Sequence, residues 1–255
     1  MAGEDPGCKV NRSLSIQSLD APDPEFSFAF QPIVDTNTRE VLSYEALIRG
    51  PGNKPAYQIL EQVPADRLFA FDQRARVAAI DLAMRLRLNC QLNLNFLPRS
   101  VDSSPESILT TLAAADRANL PIKRIVLEVV EGEIIHDHSR FNMLINNYRG
   151  LGLKVAIDDF GSGYSGLNLL ADFQPDQVKL DMQLIRGIER HGPRQSIVRA
   201  IHGICIELGI DVIAEGVETK EEYGWLTSQG LHLFQGYLFA KPAFEHFPPV
   251  HYPKA

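Results

Sequence analysis

A chain of 255 residues, 45% hydrophobic and 22% charged, can bury a large core and reads as an ordinary globular protein forming one large domain or two small ones. Its formal net charge of −7 excludes broad binding to nucleic-acid polymers or anionic membrane surfaces, so any phosphate ligand is handled by a local pocket. Cys8, Cys90 and Cys205 are odd in number and lack metal-ligand spacing, which fits inert thiols in a reducing cytoplasm; the opening "MAGEDPGCKV" has no apolar export core, and no apolar run is long enough to insert in a membrane.

In chain order, residues 1–25, with "SLDAPDPE", show no sustained period and read as a loose tail. "SFAFQPIVD" and "REVLSYEALIRG" are β-like runs separated by the turn cluster "TNT", an antiparallel hairpin. From Asp66 to Leu88, Leu68, Phe71, Ala75, Ala78, Leu82 and Leu86 recur at steps of three and four, the mark of a helix with one buried face. Strand-like and helical segments then alternate: "QLNLN", "PESILTTLAAADRA", "RIVLEVV", "RFNMLINNYRG", "LKVAIDD", a short helix after Ser165, "DQVKL", helix to "SIVRAIHGICIEL", "DVIAE", "KEEYGWLTSQG" and "LHLFQ". With the hairpin this makes eight strands, and repeated strand–helix units of this length favour an α/β fold closed into a (β/α)8 TIM-like barrel with one antiparallel strand. No linker or composition break divides residues 26–246, and 247–255 reads as a C-terminal tail.

The strands are apolar, yet each ends in a polar residue: Glu45, Asn95, Glu128, Asp158 with Asp159, Lys179, Glu215 and Gln235. In such a barrel the carboxyl ends of the strands converge on one face, so these side chains share a cavity. Four or more carboxylates there repel unless cations neutralise them, and two divalent ions are held by the hard oxygen ligands they prefer. Asp158 and Asp159 therefore read as metal ligands. Neighbouring strand residues point to opposite faces, so both reach the site only if the chain bends, which Gly161 and Gly163 permit. A lone strand-end Asp also serves as a helix cap, but seven agreeing positions favour the site.

Lys179 among acids suits an anion or a metal-bound hydroxide. Asn93 and Asn95 share a strand face, and pattern does not choose between them. His136 and His138 read as solvated loop residues, and His202 as structural. Gly161, Gly163 and Gly166 also fit G-x-G-x-x-G with Asp181 beyond, a dinucleotide signature, but Asp158 and Asp159 just before the loop oppose a pyrophosphate's approach without a metal.

"YEALIRG", "NFLP", "LEVVE", "IDDFGSGYSGL", "VKLD", "AEGVET" and "QGYLFAKP", in this order from Phe28 to Pro242, resemble the EAL-domain cyclic-di-GMP phosphodiesterases. The resemblance implies a (β/α)8 barrel with one antiparallel strand and hydrolysis of cyclic-di-GMP to linear pGpG. It implies Glu45, Asn95, Glu128 and Asp158 as ligands of one Mg²⁺ or Mn²⁺, with Asp158 bridging to a second ion that Asp159 also binds; Asn95 is preferred because it precedes "FLP". By the same resemblance, Lys179 contacts the attacking water, Glu215 is general base or second-metal ligand, and Glu131 steadies the Gly-rich loop. Arg49 binds phosphate, and Gln31, Glu218 and Gln235 lie on the substrate side.

Ser162 stands where Thr is common and Gly166 where Ser is frequent; neither change removes the chemistry. Ca²⁺, with longer bonds, is expected to bind and suppress turnover. No diguanylate cyclase motif and no sensory domain are seen. A homodimer through "SGLNLLADFQP", using Leu167, Leu169, Leu170 and Phe173, is expected, the alternative being that these are core. The competing function is a non-catalytic cyclic-di-GMP receptor.

Overall fold

The structure, a computed structural model, describes residues 24–97, 107–131, 138–163 and 166–253. β1 (Ser27–Asp35) and β2 (Glu40–Arg49) form the antiparallel hairpin, turned by Asp35, whose Oδ1 accepts the Asn37 amide at 2.8 Å. After the short α1 (Ala56–Leu60) and the long α2 (Leu68–Arg85) come β3 (Gln91–Asn95), α3 (Ser107–Arg117), β4 (Ile125–Val130), α4 (His138–Gly150), β5 (Lys154–Phe160) and α5 (Gly166–Asp172). β6 (Gln177–Leu180), α6 (Met182–Ile185), α7 (Gly192–Leu208), β7 (Asp211–Ala214), α8 (Lys220–Ser228), β8 (Leu233–Phe234) and β9 (Ala243–Phe244) follow.

β2 through β8 pair in parallel in chain order, and β1 closes the barrel by pairing antiparallel with both β2 and β8. β9 adds an extra strand to β1. The strands are buried on both faces, which is why their sequences read as apolar runs rather than as alternation: helices cover one face and the barrel interior the other. Ile33, Ile213 and Leu233, with Leu42, plug the end where the parallel strands begin. The carboxylates Glu45, Glu128 and Asp158 lie toward the opposite end.

Caps end the helices at both ends of the barrel. Gly209, with φ of 70°, stops α7 in the left-handed conformation that only glycine adopts cheaply. Thr219 and Glu222 form a reciprocal capping box at the start of α8.

Two expectations change. The segment after residue 246 packs on the barrel: Phe247 stacks on Tyr44 at 4.2 Å, meets Phe30 edge-on at 5.0 Å, and the His251 amide donates to the Phe239 carbonyl at 2.9 Å. Leu169, Leu170 and Phe173 are buried in this chain's own core, so they offer no docking surface; of the four residues proposed for pairing only Leu167 is exposed. The tail expected over 1–25 lies outside the described residues except for its last two, as do Cys8, His136, Ser165 and the His138 side chain. Cys90 and Cys205 carry free thiols. Among the described residues no helix is long and apolar enough to cross a membrane.

Candidate functional site

At the carboxyl ends of the parallel strands, β2 supplies Glu45, β4 Glu128, β5 Asp158 and Asp159, and β6 Lys179, while Glu215 follows β7. Lys179 stands among four of the carboxylates: its Nζ lies 2.7 Å from Glu215 Oε1, 2.8 Å from Glu128 Oε1, 2.9 Å from Asp158 Oδ1 and 3.3 Å from Glu45 Oε2. One ammonium does not balance four carboxylates, and burial sharpens the conflict. Burial, then the charge of Glu45, pushes Glu128 up to about 8, and burial raises Glu215 well above the carboxylate range. For Lys179 burial acts the other way but the surrounding acids prevail, holding the ammonium well above its ordinary value.

Asp158 and Asp159 both serve the site because β5 breaks register between Ile157 and Phe160, with Asp159 itself at a φ of 54°. The bend thus begins two residues before the first glycine, on a residue type that tolerates left-handed backbone better than most. Gly161, at a φ of 92°, continues it. Glu131 Oε2 anchors the turn from outside, accepting the Gly161 amide at 2.8 Å and the Gly163 amide at 3.4 Å. A Cβ on Gly163 would sit 2.8 Å from Glu131 Oε1, so the second glycine is needed for that approach.

Two carboxylate triads result: Glu45, Glu128 and Asp158, and Asp158, Asp159 and Glu215, with ligand atoms in each within 4.8 Å of one another. Asp158 belongs to both. Glu128 Oε2 is buried with no hydrogen-bond partner. A buried, unpartnered carboxylate oxygen between other acids is what a hard divalent cation satisfies, so the donor set fits the expected metals.

The asparagines separate. Asn93 is fully buried and donates Nδ2 to Glu128 Oε1 at 2.8 Å. Asn95, in register with Glu128, is exposed and lines a 580 Å³ cavity with Glu45 and Arg49. Gln31 and Gln235 lie within the site: Gln235 Nε2 donates to Glu45 Oε2 at 2.7 Å and to Gln31 Oε1 at 3.4 Å, while Gln31 Nε2 donates to the Ala240 carbonyl at 3.2 Å. Both line a second cavity of 350 Å³ with Lys179, Glu215 and Glu218. Glu218 Oε1 pairs with Arg186 at 2.8 Å.

Asp181, read in the sequence only as the acid beyond a glycine-rich loop, stands beside the site. It bonds the Asp159 side chain and, after burial and the Asp158 charge, helps push Asp159 up to about 6. Its Oδ1 also caps α6, accepting the Gln183 amide at 2.7 Å. Its place just past a strand end was the available signal. Arg186 and Tyr237 also line the 350 Å³ cavity; Tyr237 falls within "QGYLFAKP", whereas Arg186 carries no motif signal.

A family model described as "EAL domain" matches residues 17–242. Among solved structures, a standalone versatile EAL protein from Vibrio cholerae O395 in a c-di-GMP-bound form is 47% identical, covers 91% of this chain and 98% of its own, and superposes with a TM-score of 0.87. Klebsiella pneumoniae BlrP1, in a manganese and cyclic di-GMP complex, is 40% identical over 88% of this chain and 58% of its own, with a TM-score of 0.84. The curated relative BluF, a blue light- and temperature-regulated antirepressor of Escherichia coli K12, is 35% identical over 89% of this chain and 57% of its own length. Further relatives, 36% and 31% identical, are named cyclic di-GMP phosphodiesterases, and the chain spans only 25% and 38% of them. The barrel is thus that of a known lineage, and the chain belongs to the EAL domain family.

Proposed function

We propose that the protein is a metal-dependent phosphodiesterase that hydrolyses cyclic-di-GMP to linear pGpG in the cytoplasm. The observation that carries this reading is the placement of Lys179 between two carboxylate triads that share Asp158. In this reading Glu45, Asn95, Glu128, Asp158 and Asp159 hold two Mg²⁺ or Mn²⁺ ions, which when bound supply a water acidic enough to ionise near neutral pH and offset charge on the phosphoryl oxygens. Glu215 takes the water proton. Lys179, kept cationic by its neighbours, orients the nucleophile and the phosphoryl group. Arg49 holds phosphate with its guanidinium fork, Gln31 and Gln235 fix Glu45, and Glu131 keeps Asp159 in place through the turn amides.

A non-catalytic receptor is the second reading, favoured by the likeness to the antirepressor BluF. Incubating the purified protein with cyclic-di-GMP and Mg²⁺ or Mn²⁺ and identifying the products separates the two. Formation of pGpG that ceases when Ca²⁺ replaces Mg²⁺, with binding intact, is the expected result; binding without product in any of these metals favours the receptor. Pairing of two chains, through a surface that includes exposed Leu167, is part of the proposal, and a concentration-independent monomer in sedimentation removes it.

A further inference from the structure

Asn95 is exposed and lines the 580 Å³ cavity, which is lined also by Leu68, Phe71, Ala75 and Ala79 of α2. With open space between them, close packing does not fix the end of β3 against that helix. A buried ion pair one helical turn long does. Asp72 and Arg76, both on α2 and almost fully buried, are joined through Oδ2 and Nη1. The Asp72 carboxylate accepts the backbone amide of Leu97, and the Arg76 guanidinium lies over the Phe96 ring, 5.1 Å from its centroid. Arg76 Nε also donates to Thr111 Oγ1 of α3 at 3.1 Å. Phe96 is tied to β4 as well, where its amide donates to the Glu128 carbonyl at 2.9 Å. The two residues directly after Asn95 are thus gripped from α2 and β4.

Stability alone does not account for this pair. Desolvating two charges offsets much of their attraction, and well-packed apolar residues of similar volume are often as stable in such a place or more so. Burial outweighs both Arg76 and the Leu97 amide and leaves the Asp72 carboxyl above its ordinary value. Arg76 Nη2 is buried without a hydrogen-bond partner among the described residues. Apolar side chains could fill the space, but none could accept the Leu97 amide or hold the Phe96 face by charge. Position is what the pair supplies that an apolar substitute does not.

We infer that Asp72 and Arg76 are positioning residues for the metal site: through Leu97 and Phe96 they set the place of Asn95 beside Glu128, its partner in register. Neither is a ligand, and both act through the backbone that carries one. A ligand held in place by outer partners binds its ion more tightly, because less of the site must be ordered when the ion arrives.

This inference rests on the reading of Asn95 as a metal ligand and deepens it. The test is Mn²⁺ binding followed by electron paramagnetic resonance, without nucleotide, with thermal unfolding of every variant as a check on folding. The proteins are the unmodified chain, Asp72→Leu with Arg76→Met, Arg76→Lys, Asn95→Ala, and Asn95→Ala combined with the apolar pair. The apolar pair keeps much of the volume and strands no charge, so it is expected to fold. It is expected to weaken Mn²⁺ binding about tenfold and to speed hydrogen exchange at the Leu97 amide. Arg76→Lys, which keeps the charge but not the flat stack on Phe96, is expected to lose less. In the Asn95→Ala background the apolar pair is expected to weaken binding no further, because the residue through which it acts is gone. Wild-type Mn²⁺ affinity in either folded variant, the apolar pair or Arg76→Lys, overturns the inference. So does a loss that persists in full in the Asn95→Ala background, which would mean a general loosening of the barrel mouth. Asn95→Ala with wild-type Mn²⁺ affinity overturns the parent reading of Asn95 and this one with it.

Discussion

Single side chains at the barrel mouth carry conflicting electrostatic demands, and the conflict is measurable. Glu128 is held up to about 8 by burial and by Glu45, above the usual carboxylate value of about 4.3 in an unfolded chain. A raised folded-state pKa means that the protonated carboxyl stabilises the fold fully below the unfolded value, and that this contribution is lost as pH rises through about 8. In a chelator, the unfolding temperature is therefore expected to fall as pH rises from about 4.3 to about 8, and saturating Mn²⁺ is expected to flatten that slope, because bound ions take the deprotonated ligands. A chelated protein with no slope across this range refutes the crowded-acid account. Glu215→Gln tests the chemistry at the same scale. It keeps the side chain's size and removes its ability to take a proton, so turnover in Mg²⁺ should drop about 10²-fold or more while binding in Ca²⁺ persists. Near-wild-type turnover rejects the role given to Glu215.

At the scale of elements, the loops after β6 and β7 line one side of the 350 Å³ cavity, and Glu222 joins them. Burial favours its neutral form, but the amides of Gly187, Glu218 and Thr219 outweigh burial and pull its carboxyl below the ordinary value. The sign is opposite to that of Glu128: stability from Glu222 is full above the unfolded carboxylate value and lost as pH falls through the lowered one. Glu222→Gln is expected to cost about 1 kcal/mol near pH 7, about 3 °C in Tm, with the two melting curves converging in acid. Curves that stay parallel down to pH 3 contradict the assignment. Much of this scale was legible in the sequence. Strand and helix alternation placed the elements, and polar residues at successive strand ends mark one face of the barrel. The break in β5 at Asp159 was not, because a left-handed residue inside an apolar strand leaves no periodic trace, and the glycines beside it drew the bend to themselves. Arg186 was equally silent: it lies in an irregular turn, and only the fold brings it to Glu218, which is 32 positions away.

Over the whole molecule, the closure of the barrel is unevenly built. β1 is in register with β2 over nearly its full length, whereas β8 has two residues, pairing Val34 with Phe234 and Asp35 with Leu233 on one side and meeting Ile213 and Ala214 on the other. Yet Gln235, which fixes Glu45, directly follows that short strand. The C-terminal segment reinforces this seam. β9 pairs with β1 through Ala29 and Phe30, the Glu245 amide donates to the Phe28 carbonyl at 2.9 Å, and Phe247 covers Phe30 and Tyr44. Composition made this stretch resemble a tail, since "EHFPPVHYPKA" has no period, and aromatic packing without regular structure is invisible to periodicity. Phe247→Ala removes a ring from that contact and is expected to cost about 2 kcal/mol. The loss should be local before it is global: amide hydrogen exchange should accelerate first in β1, β8 and the strand-end residue Gln235, while β4 and β5, paired on both sides within the parallel run, keep their protection. Loosening Gln235 frees Glu45 from its 2.7 Å donor, so the variant should also need more Mg²⁺ for half-maximal turnover. Uniform exchange across all strands would show that the barrel opens as one cooperative unit and that the C-terminal segment does not guard the seam.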